Sequence, residues 1–256
     1  MRIDWHQTRA AIWRSNNEKL KPVTRLDPIR LDELRGIDNQ TQALLENTRH
    51  FIAGQPSNHA LLWGARGTGK SSLIKAILNE FIADNLRIIQ IDKTDLNYLP
   101  ELLDWLEEQS KQFHFILYCD DLSFEYGDVS YKPLKSLLEG GLELPPERVR
   151  LYATSNRRHL LPERQSENQV SGLFDGEVHF ADSLEDKLAL SDRFGLTLSF
   201  YPAHWEQYFA IVDSLFVGTN IDKQQLHDAA RLYAMGRGSH SGRTAKQFYQ
   251  YYYANL

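Results

Sequence analysis

Short apolar runs alternate along this chain with longer stretches whose apolar residues return every third or fourth position. Five runs have the length and β-rich composition of strands: 60–63, 86–91, 113–119, 149–153 and 196–200. The third, Phe113–Cys119, is nearly all apolar, as a strand covered on both faces should be. Between the runs the spacing predicts helices. Leu44, Leu45, Thr48, Phe51 and Ile52 line one face of a helix with Asp38 as its N-cap. Leu73, Ile74, Ile77 and Leu78 mark a second helix. Leu99–Leu106, with Pro100 in its first turn, and Tyr131–Leu138, ended by Gly140 and Gly141, give two more. Strands alternating with helices predict an α/β fold with a five-stranded, mostly parallel sheet and helices on both faces.

The pattern changes at both ends. Beyond Pro202, the stretches 204–216, 222–235 and 244–253 read as three helices with no strand between them, a small helical lid over 202–256. The aromatic end of the last, Phe248 to Tyr253, reads as packing surface. Residues 1–28 read as an N-terminal arm ahead of an α/β domain at 29–201. In the arm Arg2, Arg9, Arg14, Lys19, Lys21 and Arg25 outnumber Asp4, Glu18 and Asp27. Trp5, Ile12 and Trp13 interrupt the polar residues, and a helix docked by its tryptophans is expected. Basic and aromatic residues together also fit an arm that meets a partner or a nucleic acid.

Composition narrows the class. At 256 residues, with 42% hydrophobic and 25% charged, the chain has the make-up of a soluble protein with a sizeable core. A net charge of −5 argues against binding nucleic acid by charge alone, though a local basic face stays open. The single cysteine, Cys119, leaves no internal disulfide and no cysteine-based zinc site. His159, His179, His204 and His240 show no paired metal-ligand spacing. No apolar run approaches a membrane span and the N-terminus has no signal-peptide core. No membrane association and a cytoplasmic location are therefore expected.

One stretch carries specific chemistry. Gly64-Ala65-Arg66-Gly67-Thr68-Gly69-Lys70-Ser71 fits G-x-x-x-x-G-K-[ST], between the first apolar run and a helix. Glycines let the backbone wrap so that N–H groups point at phosphate oxygens, and the helix N-terminus adds partial positive charge. Lys70 can reach the β- and γ-phosphates of ATP, and the Ser71 hydroxyl can ligate Mg²⁺. Gly64 to Ser72 are thus the expected nucleotide-binding residues of a P-loop NTPase.

The strand at Phe115–Cys119 ends in Asp120 and Asp121. Acids at the C-terminal end of a parallel strand sit where ligands bind in open α/β sheets. Asp120 would hold Mg²⁺ through water, and Asp121 would orient the attacking water. The fourth strand ends Ala153-Thr154-Ser155-Asn156. If it lies between the P-loop strand and the acidic strand, Asn156 faces the γ-phosphate.

This order of P-loop, acidic strand, asparagine strand, arginine and helical lid resembles an AAA+ ATPase. Within that class the chain is similar to the bacterial stand-alone family catalogued as domain of unknown function 815. The stretches LLWGARGTGKSSLIKA, CDDLSFE, YKPLKSLLEGG, ATSNRRHLLPE and LSDRFGL carry the likeness over about 28–200. The resemblance implies that Leu31–Ile37, with Ile37 among its apolar residues, receives the adenine. It implies that Arg193, after a helix running from about Ser183, is an arginine finger serving a neighbouring subunit, and that Arg243 is the lid's sensor of nucleotide. Most AAA+ proteins have Glu where this chain has Asp121, so Glu125 is an alternative water-orienting acid. Arg157 and Arg158 are open to phosphate, a neighbouring subunit, a nucleic acid or solvent. The function implied is an ATPase, a homo-oligomer on ATP binding, that remodels or switches a macromolecular client. The alternative is an ATP-gated nucleic-acid-binding module of helicase-loader or replication-initiator type with little turnover.

Overall fold

The computed structural model describes residues 3–15, 19–109, 111–125, 128, 130–139, 144–158, 160 and 190–253. Arg2, Glu18, Gly140, Gly141, His159, His179 and the start of the helix expected from Ser183 lie outside them. The strands are β1 (Ala10–Arg14), β2 (Lys19–Pro22), β3 (Ala60–Gly64), β4 (Leu86–Gln90), β5 (His114–Cys119), β6 (Val149–Ser155) and β7 (Leu196–Phe200). They form one sheet in the order β2-β1-β4-β5-β6-β3-β7. Among the described residues only the β1–β2 pairing is antiparallel.

Helices cover both faces: α1 (Asp38–Ile52) and α2 (Lys70–Phe81) on one, α3 (Leu99–Gln109) and α4 (Lys132–Glu139) on the other. Ala60 and Leu62 of β3 pack with Leu44 and Phe51 of α1 and Leu73 and Ile77 of α2. Leu61 packs on the other side with Leu99, Leu102 and Leu106 of α3 and Leu134 of α4. Ile116 and Tyr118 of β5 divide from Phe115 and Leu117 in the same way. With apolar residues needed on both faces, period-two alternation disappears and a continuous apolar run remains.

Two expectations need correction. Among the described residues the sheet has seven strands rather than five, because the arm is a pair of strands and not a helix. Trp5 and Trp13 are indeed buried, at 3% and 8% exposure. Trp5 reaches the core from a turn and Trp13 from extended backbone: Ala11 and Trp13 serve the α3 side, and Ala10 the α1–α2 side. Through β1 the arm covers the edge of β4, and Arg87 Nε of that strand donates to Trp5 O at 2.7 Å. Lys19, Lys21 and Pro22 blunt the new edge at β2. The second correction is local. Ile37, not Asp38, is the N-cap of α1 and makes no side-chain cap bond. Asp38 is the first helical residue, where its negative charge still favours the helix N-terminus.

The C-terminal helices α5 (Trp205–Leu215), α6 (Lys223–Arg237) and α7 (Gly242–Tyr253) have a core of their own. Tyr208, Val212, Phe216, Leu226, Ala230, Ala245 and Phe248 fill it. Asp222 caps α6 by accepting from Gln225 N at 2.9 Å. Tyr249 and Tyr252 set their edges against Phe216, which is the packing role read from the sequence. Among the described residues no helix is long and apolar enough to cross a membrane.

Candidate active site

The P-loop, the C-terminal ends of β5 and β6 and the lid helices α5 and α7 enclose a cleft of about 970 Å³. Arg66 to Ser72 line it, with Asp120, Asp121, Thr154 and Asn156 across from them. Gly64 and Ala65 stand behind the loop and hold it to the sheet. Ala65 N donates to Phe200 O of β7 at 3.0 Å. At Gly64, φ is 134° and a Cβ would stand 1.9 Å from Phe200 O, so no side chain fits there.

Lys70 opens α2 and is 7% exposed. Its Nζ donates to Gly64 O at 2.8 Å and Ala65 O at 2.6 Å, and lies 3.5 Å from Asn156 Oδ1. Burial holds its pKa below the ordinary lysine value, against the pull of Asp121 and Asp120. The ammonium thus rests on loop carbonyls at the cleft floor, facing two carboxylates.

β6 does lie between β3 and β5, which is the condition the Asn156 reading requires. Asn156 Nδ2 donates to Asp121 Oδ1, so the amide links the acid to Lys70. Ser71 Oγ donates to Asp120 Oδ1 at 2.9 Å. Burial tends to raise the Asp120 carboxyl, but hydrogen bonds from Thr154 and Ser71 outweigh it and leave it below the ordinary carboxylate value. Thr154 was not singled out from the sequence. Its Oγ1 donates to Asp120 and accepts from Asp121 N at 2.9 Å, tying both acids to the neighbouring strand. Asp121 needs that support, since its φ is 52°, a left-handed conformation uncommon outside glycine.

Ile37 and Arg243 also reach the cleft. Ile37 Cδ1 stands 3.3 Å from where a Cβ on Gly69 would be. Ser241, just ahead of α7, sits so close to Gly67 that a Cβ there would meet Ser241 Oγ at 2.6 Å. The turn carrying Arg243 is therefore seated directly on the P-loop. Ile29, Leu34, Ile211 and Leu215 add apolar surface to the cleft lining. Glu125, Arg157, Arg158 and Arg193 are not among the lining residues. Glu125 is exposed and 3.8 Å from Arg157 Nη2. Arg158 lies over the Trp63 ring, 5.8 Å from its centre. Arg193 Nη2 pairs with Glu139 of α4, while its buried Nη1 has no hydrogen-bond partner among the described residues.

A family model described as Protein of unknown function (DUF815) matches residues 6–256. The chain belongs to this family. Among solved structures, this DUF815 chain resembles one from the E. coli MS115-1 HORMA:CdnC:Trip13 complex, with a TM-score of 0.54 and 12% identity. That likeness covers 86% of this chain and 90% of the other. A variant of Thermotoga maritima RuvB gives a TM-score of 0.51 at 16% identity, covering 87% of this chain and 72% of that one. These likenesses show the fold, an AAA+ ATPase-like α/β core with a C-terminal helical region. The replication factor C large subunit of Ignicoccus hospitalis is 32% identical over 75 residues. Those residues are 28% of the DUF815 chain and 15% of the other protein, so the chain matches a small part of that relative.

The residues present fit a nucleoside triphosphate with Mg²⁺. Lys70, Arg66 and Arg243 line the cleft with no carboxylate within ion-pairing distance among the described residues. An Mg²⁺ ion takes one or two protein oxygens and fills its other positions from phosphate and water. Ser71 Oγ offers one such oxygen, and Asp120 Oδ1 beside it could hold a water of the ion's shell.

Proposed function

We propose that this chain binds ATP in the cleft and hydrolyses it to ADP and phosphate, as an oligomer that remodels or switches a macromolecular client. The observation that carries this reading is the convergence of Lys70, Ser71–Asp120 and Asp121–Asn156 on one cleft beneath the Arg243 turn. Lys70 neutralises charge on the β- and γ-phosphates while the P-loop N–H groups hold them. Ser71 and Asp120 would hold Mg²⁺, which supplies further neutralisation of the phosphate oxygens. Asp121, fixed by Asn156 and Thr154, orients a water for attack on the γ-phosphorus and accepts its proton. The bond from that phosphorus to the bridging oxygen then breaks, with ADP as leaving group.

The arginine finger comes from a neighbour in this reading. Arg193 is absent from its own cleft and held by Glu139, so it serves catalysis only across a subunit interface. Such a finger contributes roughly 10³–10⁵ in rate. Arg193→Ala is expected to bind ATP normally and turn it over very slowly. Lys70→Ala is expected to lose ATP binding while remaining folded. Mixing the two should restore turnover, since a mixed interface pairs an intact P-loop with an intact finger. Full activity of Arg193→Ala in a protein that stays monomeric with ATP would remove the trans mechanism. Equal ATP affinity of Lys70→Ala and wild type by calorimetry would remove the P-loop assignment.

A further inference from the structure

Helix α7 turns a polar stripe to the cleft. Arg243, Lys246, Gln247 and Gln250 follow one another at helical i, i+3, i+4 and i+7 spacing, and all four line the cavity. The other side of the helix, Thr244, Ala245 and Phe248, is buried. Lys246 is exposed within the cleft and has no carboxylate at ion-pairing distance among the described residues. The acids at the cleft mouth are already engaged: Asp32 pairs with Arg30 at 3.1 Å, and Glu33 accepts from Arg30 N at 3.2 Å. Arg66 and Lys70 of the loop and Arg243 and Lys246 of the lid line the same cleft, so the cations of lid and loop converge on one space. An anion lying between them offsets their mutual repulsion.

The position of Lys246 along the stripe separates it from Arg243. The N-terminus of α7 is the end nearest the P-loop, with a Cβ on Gly242 only 3.5 Å from Gly67 O. Lys246 lies three residues beyond Arg243, roughly 4.5 Å farther along the helix axis. It is thus displaced away from the end of the cleft where Arg243 meets the loop.

We infer that Lys246 is a second nucleotide-binding cation of the lid, acting on the phosphates that ADP and ATP share rather than on the γ-phosphate. This rests on the reading of the cleft as an ATP site. It makes the lid grip product as well as substrate, with Arg243 reporting the γ-phosphate and Lys246 holding the remainder.

The test is calorimetric titration of the full chain with ADP and with a non-hydrolysable ATP analogue, each with Mg²⁺. Lys246→Gln is expected to weaken both by the same factor, about tenfold for one lost charge-assisted contact. Lys246→Arg should restore both. Arg243→Ala should weaken the ATP analogue more than ADP. Because Lys246 is exposed, Lys246→Gln should melt as the wild type does. Unchanged affinities in Lys246→Gln, or a loss confined to the ATP analogue, would overturn the inference. If wild type binds neither nucleotide, the ATP reading fails and this inference with it. If wild type binds both and only Lys246→Gln behaves as wild type, the ATP reading stands and the inference alone falls.

Discussion

Two polar networks sit at opposite ends of the strand pair β3–β6, and they are built differently. At the N-terminal end of β3, Asn47 Nδ2 donates to Asn58 O at 3.0 Å and to the Tyr152 hydroxyl at 3.1 Å. Thr48 shares a hydrogen bond with the same hydroxyl at 2.8 Å, and Asn58 N returns to Asn47 Oδ1 at 2.9 Å. These groups are neutral, and the circuit closes on itself. At the C-terminal end the groups are Lys70, Asp120 and Asp121, with Arg243 and Lys246 above them across an open cleft. There the hydrogen bonds place the charges without neutralising all of them. Buried polar groups that satisfy one another fix strand register and packing. Oriented charges facing a cleft with too few counter-charges call for a ligand.

The widest separation between the two ends should come from Asp121→Asn. It removes the proposed proton acceptor but leaves Ser71, Asp120 and Lys70 in place. Turnover should fall by roughly 10²–10⁴ while ATP affinity stays within a small factor. Steady-state phosphate release and calorimetry on one preparation measure both. Normal turnover in Asp121→Asn alongside its loss in Glu125→Gln would move the role to the other acid.

Tyr152→Phe makes the reverse cut. It deletes the hydroxyl shared by Asn47 and Thr48, at a cost of about 1–2 kcal/mol. In a chain of this size that lowers Tm by a few degrees. ATP affinity and turnover should not change, and an activity loss larger than the stability loss would join the two networks into one.

The smallest effect is a pH drift. Burial, and then Arg150, push the His59 ring down to about 4 from its ordinary 6.5. Burial, Arg148 and Arg150 do the same to His114. Both rings are neutral in the folded chain, whereas the unfolded chain takes up protons below about pH 6.5. The contribution of these two histidines is therefore complete above pH 6.5, declines as pH falls towards 4, and levels off below. Asp120, held below the ordinary carboxylate value, keeps its charge through that window, so the decline belongs to the end away from the cleft. Melting curves between pH 7 and 5 should show it, and a flat Tm, or His59 titrating near 6.5 by NMR, would contradict it.

What the sequence disclosed follows from how local each signal is. β3 and β5 were legible as continuous apolar runs, and β4, β6 and β7 as short β-rich stretches bounded by polar or turn residues. The P-loop and the paired acids were legible because their chemistry is written in adjacent residues. Thr154 was not, since a threonine in a strand is ordinary by β-propensity. Its role exists only because β6 lies beside β5, a pairing between segments more than 30 residues apart. The arm misled for a related reason. β1 and β2 are five and four residues long and send apolar side chains to two faces, so two tryptophans suggested a helical stripe. The same tryptophans, set among basic residues, suggested a binding arm, and burial removes them from that use.

Asp121 is one of only two non-glycine residues with positive φ among those described. A side chain held there costs about 1–3 kcal/mol, and glycine, or to a lesser degree asparagine, would relax it. The acid proposed to orient water is thus a standing debt against thermal endurance. A laboratory selection for heat resistance alone would find the codon for Asp121→Gly attractive, and would enrich a tougher protein that no longer turns over. Screens of this family for robustness therefore have to carry an activity gate, or they will select against the site itself.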